Sequence, residues 1–375
     1  MAGEQRNRMI DGWRGVSVLL VIASHLKGYR FADHFVATSF NDILSASGID
    51  WPRLGWNVIL RLLAPMGELG VAIFFVISGY LITRIMLREV ESRGRPGIAA
   101  FYVRRTFRIL PAFFVFLLSV SLLSAKGIIS VPGSGIIASG LFLCDFRGRE
   151  CGWWLGHTWS LGVEEQFYLL WPMLFTVLGR WRVAGLLVIT AALTAMSLGA
   201  PLALGFAHIS IGALYAASGK LRELIKAHVG PWAICASVLV ILLTPYLAAE
   251  PRLHRGVAAL QPLLLAIVFF GTVDGKQAPF ASIVSARWLG AIGLLSYSIY
   301  LWQQLFTGPA SLYAGLSLLR MPLLLIVPAV LSYFIVERPL IRLGHRLSHR
   351  ITDRRTMPLH PPSGVETPEL VRQAS

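Results

Sequence analysis

Leu69-Gly70-Val71-Ala72-Ile73-Phe74-Phe75-Val76-Ile77-Ser78-Gly79-Tyr80-Leu81-Ile82-Thr83 runs without a charged residue until Arg84. Continued to Leu87, it approaches the ~20 apolar residues that a helix needs to cross the hydrocarbon core of a bilayer. The same reading recurs along the chain. Candidate spans fall at 11–27, 69–87, 107–125, 163–178, 183–199, 202–218, 231–249, 257–273, 288–306 and 312–336. The expected fold is therefore all-α, a polytopic membrane bundle of about ten transmembrane helices. The apolar stretch 135–143 is too short to cross and reads as interfacial or re-entrant.

Composition agrees. Apolar residues make up 55% of the 375-residue chain and charged residues 14%, against roughly 25% charged in an ordinary soluble protein. Lys and Arg exceed Asp and Glu by 34 to 19, a net charge of +15. No basic arm interleaved with aromatic residues accompanies that excess, so nucleic acid is not an expected partner; the bilayer is. The cations sit in short gaps between apolar runs. Arg84, Arg88, Arg93, Arg95, Arg104, Arg105 and Arg108 lie between the second and third spans, and Arg338, Arg342, Arg346, Arg350, Arg354 and Arg355 follow the last. Ten spans with both termini inside place all of these in the cytoplasm, as the positive-inside rule requires. A bacterial inner membrane is the expected location. The first apolar stretch carries Asp11, Arg14 and His25 and no small-residue cleavage site, so it is expected to stay as a helix rather than leave as a signal peptide.

Two segments expected outside are long and rich in Trp and Gly, 28–68 and 126–162, and long loops usually carry function. Cys144 and Cys151 share the second, where an oxidising periplasm permits a disulfide; two free thiols are the alternative. The three cysteines show no zinc-ligand spacing, and no metal is expected. Residues 1–350 read as one transmembrane domain, and the polar, Pro-containing stretch 351–375 as a disordered cytoplasmic tail.

Three clusters could carry chemistry. Arg14 and His25 are eleven residues apart, almost three helical turns, so they share a face about 16 Å apart along the axis. Ionisable groups inside a span mark functional paths; alternatively, Arg14 snorkels to the interface and His25 merely ends the helix. Arg104, Arg105 and Arg108 open the third span, where cations oppose the helix dipole unless a phosphate lies between them. Ordinary positive-inside charge is the plainer account of these three. His157-Thr158-Trp159-Ser160 and Glu164-Glu165-Gln166-Phe167-Tyr168 gather acids, an amide, a phenol and an imidazole at the outer mouth of the fourth span. They could bind sugar hydroxyls, or form a wet interfacial belt. No Gly-x-Ser-x-Gly elbow, His-x4-Asp pair or Asp-His-His-Cys run offers a competing catalytic system.

Five segments together resemble the acyltransferase-3 family of membrane O-acyltransferases, which acetylate O-antigen, peptidoglycan and exopolysaccharide. They are Ile10-Asp11-Gly12-Trp13-Arg14-Gly15 with His25; Gly70–Ile82; Arg104-Arg105-Thr106-Phe107-Arg108-Ile109-Leu110-Pro111; Trp159-Ser160-Leu161 with Glu164 to Tyr168; and Ser332-Tyr333 with Glu337-Arg338-Pro339. The resemblance implies acyl transfer from cytoplasmic acyl-CoA, acetyl-CoA first among donors, to a hydroxyl of an extracytoplasmic or lipid-linked glycan, with no permanently bound cofactor. It casts His25, Arg14 and Glu164 as catalytic, and Arg104, Arg105 and Arg108 as the donor-binding arginines. Asp11, His157, Trp159, Ser160, Tyr168, Glu337 and Arg338 become candidates for substrate contact. In Ser296-Tyr297-Ser298-Ile299-Tyr300-Leu301-Trp302, Gln303 stands where the family often has histidine. No hydrolase-like domain follows the last span in this sequence, so transfer by a single domain is expected. A transporter or flippase of a lipid-linked glycan would explain the spans and buried charges, but not the five segments together.

Overall fold

The computed structural model describes residues 2–25, 64–275, 279–307 and 320–356. The described chain is helical and contains no strand. Most of the 28–68 loop and the part of the tail beyond Thr356 lie outside the described residues.

Helix α1, Ala2–His25, leads to α2, Gly67–Arg93. The two pack along each other, and α2 is the hub of the bundle, with buried residues on every side from Leu69 to Met86. It stops where Gly94 takes a left-handed φ of 72°, which glycine adopts without strain. Next comes α3, Ile98–Ala125, and then the short helices α4 (Gly133–Gly140), α5 (Cys144–Arg147) and α6 (Gly152–Gly156). These three cap one end of the bundle, tied by the Cys144–Cys151 disulfide. Helices α7 (Thr158–Leu178), α8 (Arg182–Met196), α9 (Leu202–Ala217), α10 (Gly219–His228), α11 (Pro231–Leu243) and α12 (Pro251–Asp274) follow. The chain ends in α13 (Ala281–Val284), α14 (Arg287–Leu294), α15 (Ser296–Phe306), α16 (Arg320–Leu331), a π-helical turn at Ser332–Glu337, and α17 (Arg338–Thr356).

One crossing brings two backbones closer than any residue but glycine allows. Where α2 meets α9, a Cβ on Gly79 would collide with the Ile209 carbonyl, and one on Gly212 with the Val76 carbonyl. Only glycine lets the backbones come this close, the small-residue contact by which helices associate in lipid. Apolar faces left outside the bundle, Phe114, Val115, Leu118 and Leu122 on α3 and Leu169, Leu170, Met173 and Val177 on α7, are exposed. Lipid is the environment that suits them.

The described helices do not show ten crossings. Among the described residues five helical stretches are long and apolar enough to cross: Gly67–Arg93, Ile98–Ala125, Gly152–Met196, Pro251–Asp274 and Leu324–Thr352. A sixth joins if α9 and α10, bent by 94°, count as one. Among the described residues a helix falls within every expected span, but several are short or broken. The run at 288–306 is two helices, α14 and α15, parted at Leu295. Helix α1 is 24 residues long yet carries Arg14 and Asp11 in its middle. The stretch 135–143 is the eight-residue α4, too short to cross. The last helix also runs past the expected tail boundary at Ile351 to Thr356, where the Thr352 hydroxyl donates to the Ser348 carbonyl at 2.9 Å.

Candidate active site

Two cavities lie along the face of α1 that carries Arg14 and His25. The first, about 280 Å³, is lined by Arg14, Arg104, Arg105, Arg108, Ser160, Glu164 and Tyr168, with Ser78, Tyr297 and Tyr300. Sequence reasoning drew seven of these from three separate segments, and the fold brings all seven to one space. The arginines do not open their helix, however. Helix α3 starts at Ile98, so Arg104–Arg108 sit beyond the first turn, where the macrodipole has faded. Their clustering follows from the cavity, not from the helix end.

Each arginine is held differently. Arg104 pairs with Glu89 of α2 at 2.6 Å, which neutralises much of its charge. The Arg105 guanidinium lies 3.9 Å above the centre of the Tyr168 ring, a cation–π contact that leaves its edge donors for an anion. Arg14 has Asp11 at 4.0 Å. Opposite them, Ser78 donates to a Glu164 oxygen at 2.7 Å and accepts from the Tyr168 hydroxyl at 2.9 Å. That chain fixes the carboxylate through α2 and ties Tyr168 to it. Ser78 was passed over in the sequence, although a hydroxyl in the middle of an uncharged apolar run is itself a sign of an interior polar contact.

The second cavity, about 650 Å³, is lined by His25, His157 and Trp159, together with Ser24, Glu68, Trp153, Tyr300 and Gln304. It lies beside the disulfide-tied cap. His25 Nδ1 is 2.8 Å from the Val21 carbonyl oxygen. A carbonyl only accepts, so that contact puts the proton on Nδ1 and a basic lone pair on Nε2. The Trp153 ring meets the imidazole edge-on at 5.6 Å. His157 is buried between Phe116 and Tyr300, with Nε2 3.1 Å from the Leu301 carbonyl.

Val71 and Tyr300 belong to the walls of both cavities. The Tyr300 hydroxyl lies 2.5 Å from Ser160 Oγ and donates to the His157 carbonyl at 2.9 Å, while its ring packs on Phe74. This partition was not foreseen, although Tyr300 stood in a segment singled out for Gln303. Asp11 reaches the first cavity only through Arg14. Glu337 is buried, accepting from Ser298 and from Ser332 at 3.4 Å, and Arg338 lies exposed over the Phe334 ring. Neither Glu337 nor Arg338 is in a cavity wall. Gln303 is fully buried with neither side-chain atom hydrogen-bonded.

The arginine-lined cavity and the cavity that holds His25 thus share Val71 and Tyr300 in their walls. Residues 7–337 match the family described as an acyltransferase domain, and the chain belongs to this acyltransferase-3 family. It is 26% identical over 339 residues to peptidoglycan O-acetyltransferase OatA of Listeria monocytogenes, a match covering 78% of this chain and 48% of that protein. It is 29% identical over 353 residues to putative peptidoglycan O-acetyltransferase YrhL of Bacillus subtilis, covering 77% and 54%. A putative O-acetyltransferase of Staphylococcus aureus is 38% identical over 125 residues, covering 30% of this chain and 20% of that protein. The chain spans about half the length of the first two relatives. No solved structure matches it.

Proposed function

We propose that this acyltransferase takes an acyl group, acetyl foremost, from acyl-CoA on the cytoplasmic side of a bacterial inner membrane and delivers it to a glycan hydroxyl on the other side. The observation that carries the reading is the meeting of the two cavities at Tyr300, with Arg14 lining one and His25 the other. The donor's phosphates belong with Arg104, Arg105 and Arg108, since planar guanidinium forks suit phosphate oxygens. The thioester reaches the partition at Val71 and Tyr300. There the acceptor hydroxyl gives its proton to His25 Nε2 as its oxygen bonds to the thioester carbonyl carbon. The carbon–sulfur bond breaks, and the thiolate of CoA leaves and takes up a proton. Arg14 and Glu164 position the donor, Glu164 through Ser78. The names of the first two relatives make peptidoglycan the first acceptor to try.

Purified protein given labelled acetyl-CoA and peptidoglycan fragments should form an alkali-labile O-acyl product. Absence of any such product with acetyl-CoA, longer acyl-CoAs and a range of glycans would overturn the donor assignment. Movement of an unmodified lipid-linked glycan instead would point to a flippase.

A further inference from the structure

Helix α17 has two unlike faces. One is packed: Gly344 and Ser348 are buried, and Gly344 lies so close to Phe107 of α3 that a Cβ on it would collide. Beside them Ile341 and His345 line the arginine-lined cavity. The other face carries Arg338, Arg342, Arg346 and Arg350, one every fourth residue, all exposed and none in that cavity wall. Like charges four apart on a helix repel and destabilise it. No Asp or Glu stands among residues 338–350. Among the described residues Arg342, Arg346 and Arg350 enter no ion pair, whereas Arg104 across the cavity has Glu89. An anion from outside the chain would relieve that repulsion.

The place of the stripe narrows the choice of anion. Leu324–Thr352 is one stretch long and apolar enough to cross a membrane. Up to the stripe its outer side is apolar, with Leu331, Phe334 and Ile335 each at least half exposed. Arg338 then lies over the Phe334 ring, at the edge of that apolar surface. Arg342 follows about 6 Å further along the axis and Arg346 about 12 Å. Helix side chains lean toward the N-terminus, which here is the direction of the apolar surface. Both guanidinium groups therefore lean back to the polar layer, about 5–8 Å deep, that covers the hydrocarbon of a bilayer. Leu343, exposed between them, keeps an apolar contact there. Guanidinium forks suit phosphate oxygens, and a lipid whose phosphate has no cation of its own suits an unpaired stripe best. We propose that Arg342 and Arg346 bind the headgroups of anionic phospholipids, so that α17 holds lipid on one face and the arginine-lined cavity on the other. This binding does not rest on the acyl transfer proposed above.

The test reads lipid at α17 itself. Leu343→Cys with Cys235→Ser leaves one free thiol besides the Cys144–Cys151 disulfide. A bimane on that thiol, in the full chain reconstituted into phosphatidylcholine nanodiscs, is quenched by any lipid that carries a nitroxide near its headgroup and touches α17. Nitroxide phosphatidylglycerol should associate about fivefold more strongly than nitroxide phosphatidylcholine, the worth of one arginine near an anionic surface. Arg342→Gln with Arg346→Gln, which keeps helix propensity, should bring that ratio close to one. Arg342→Gln alone should lower it part-way and covers the case in which the double variant expresses poorly. Equal association of the two lipids with the wild-type arginines would overturn the proposal, as would an excess that survives the double substitution. Quenching by neither lipid would overturn it too, since Leu343 would then lie outside the bilayer. So would an excess abolished by inorganic phosphate but not by sodium chloride at the same ionic strength, the mark of a site for free phosphate.

Discussion

At the scale of single residues, the proposed function rests the chemistry and its containment on two side chains. His25 is half-buried at the end of α1, with Nδ1 tied to the carbonyl of its own helix. The imidazole adds little to packing, so His25→Ala should insert and elute from a sizing column as the wild type does. Acyl transfer should fall by something on the order of 10²–10⁴-fold, the usual worth of a positioned general base. Transfer at a tenth of the wild-type rate would rule His25 out as the base. Arg14→Lys keeps the charge but loses the fork, and should restore only part of what Arg14→Ala removes. Tyr300 does a different job. Its hydroxyl bonds to Ser160 and to the His157 carbonyl, and the residue lines both cavities. Tyr300→Phe keeps the wall and loses the bonds, costing about 1–2 kcal/mol of stability. Tyr300→Ala opens the wall, and water reaching the thioester should raise acyl-CoA hydrolysis relative to transfer. A ratio unchanged from the wild type would mean that Tyr300 is not the partition.

At the scale of elements, close helix approach sets the site. Gly212 lies against the α2 backbone at Val76, two residues before Ser78, which holds Glu164. Gly212→Val should push α9 off α2, cost about 1–3 kcal/mol as overpacking does, and lower transfer by shifting Ser78. A detergent melting curve and a transfer assay read both effects; normal melting would show that the contact has slack. In the cap, Asp145 accepts from the Gln166 amide at 2.9 Å through one oxygen, and the other has no partner. Burial raises its pKa above the usual carboxylate value, against the lowering pull of the Gln166 bond. A folded-state pKa above the unfolded one means that stability is lost as pH rises through the folded value. Asp145→Asn keeps an acceptor for Gln166 and removes that loss, so it should melt at or above the wild type at pH 7 and converge with it in acid. Lower melting at pH 7 would mean that the ionised carboxylate is stabilising. Sequence patterning showed these helices well, because uncharged runs such as 69–83 have few other uses. It missed the break at Leu295 and the extension of α17 to Thr356, since a run of apolar residues does not record where neighbouring backbones force a turn. Gln303 is a further case: its position was marked as unusual, but nothing in the sequence showed that both its amide atoms would be buried unpaired.

At the scale of the molecule, two features bear on the proposed sidedness. The cap that carries the Cys144–Cys151 disulfide adjoins His25, His157 and Trp153, and disulfides persist in oxidising compartments. The arginine-lined cavity lies toward the other end, where Arg88, Arg93 and Arg95 close the α2–α3 turn and α17 lays Ile341 and His345 on the cavity wall. Cationic turns stay in the cytoplasm. The gathering of Arg14, Arg105 and Glu164 was legible because each stood out as a charge in or beside an apolar run. The partition was not, because a tyrosine in a span is ordinary until its two neighbouring spaces are seen. A donor entering from the arginine end and an acceptor from the disulfide end require this orientation to hold. Gly127 is in a turn at the disulfide end with open space around it, which makes that turn the place to insert a reporter. Alkaline phosphatase inserted there should be active and a fluorescent protein fused after Ser375 should glow, with each dark in the reciprocal position. The same compartment reported at both sites would sink the two-sided transfer, because donor and acceptor would then enter from one side.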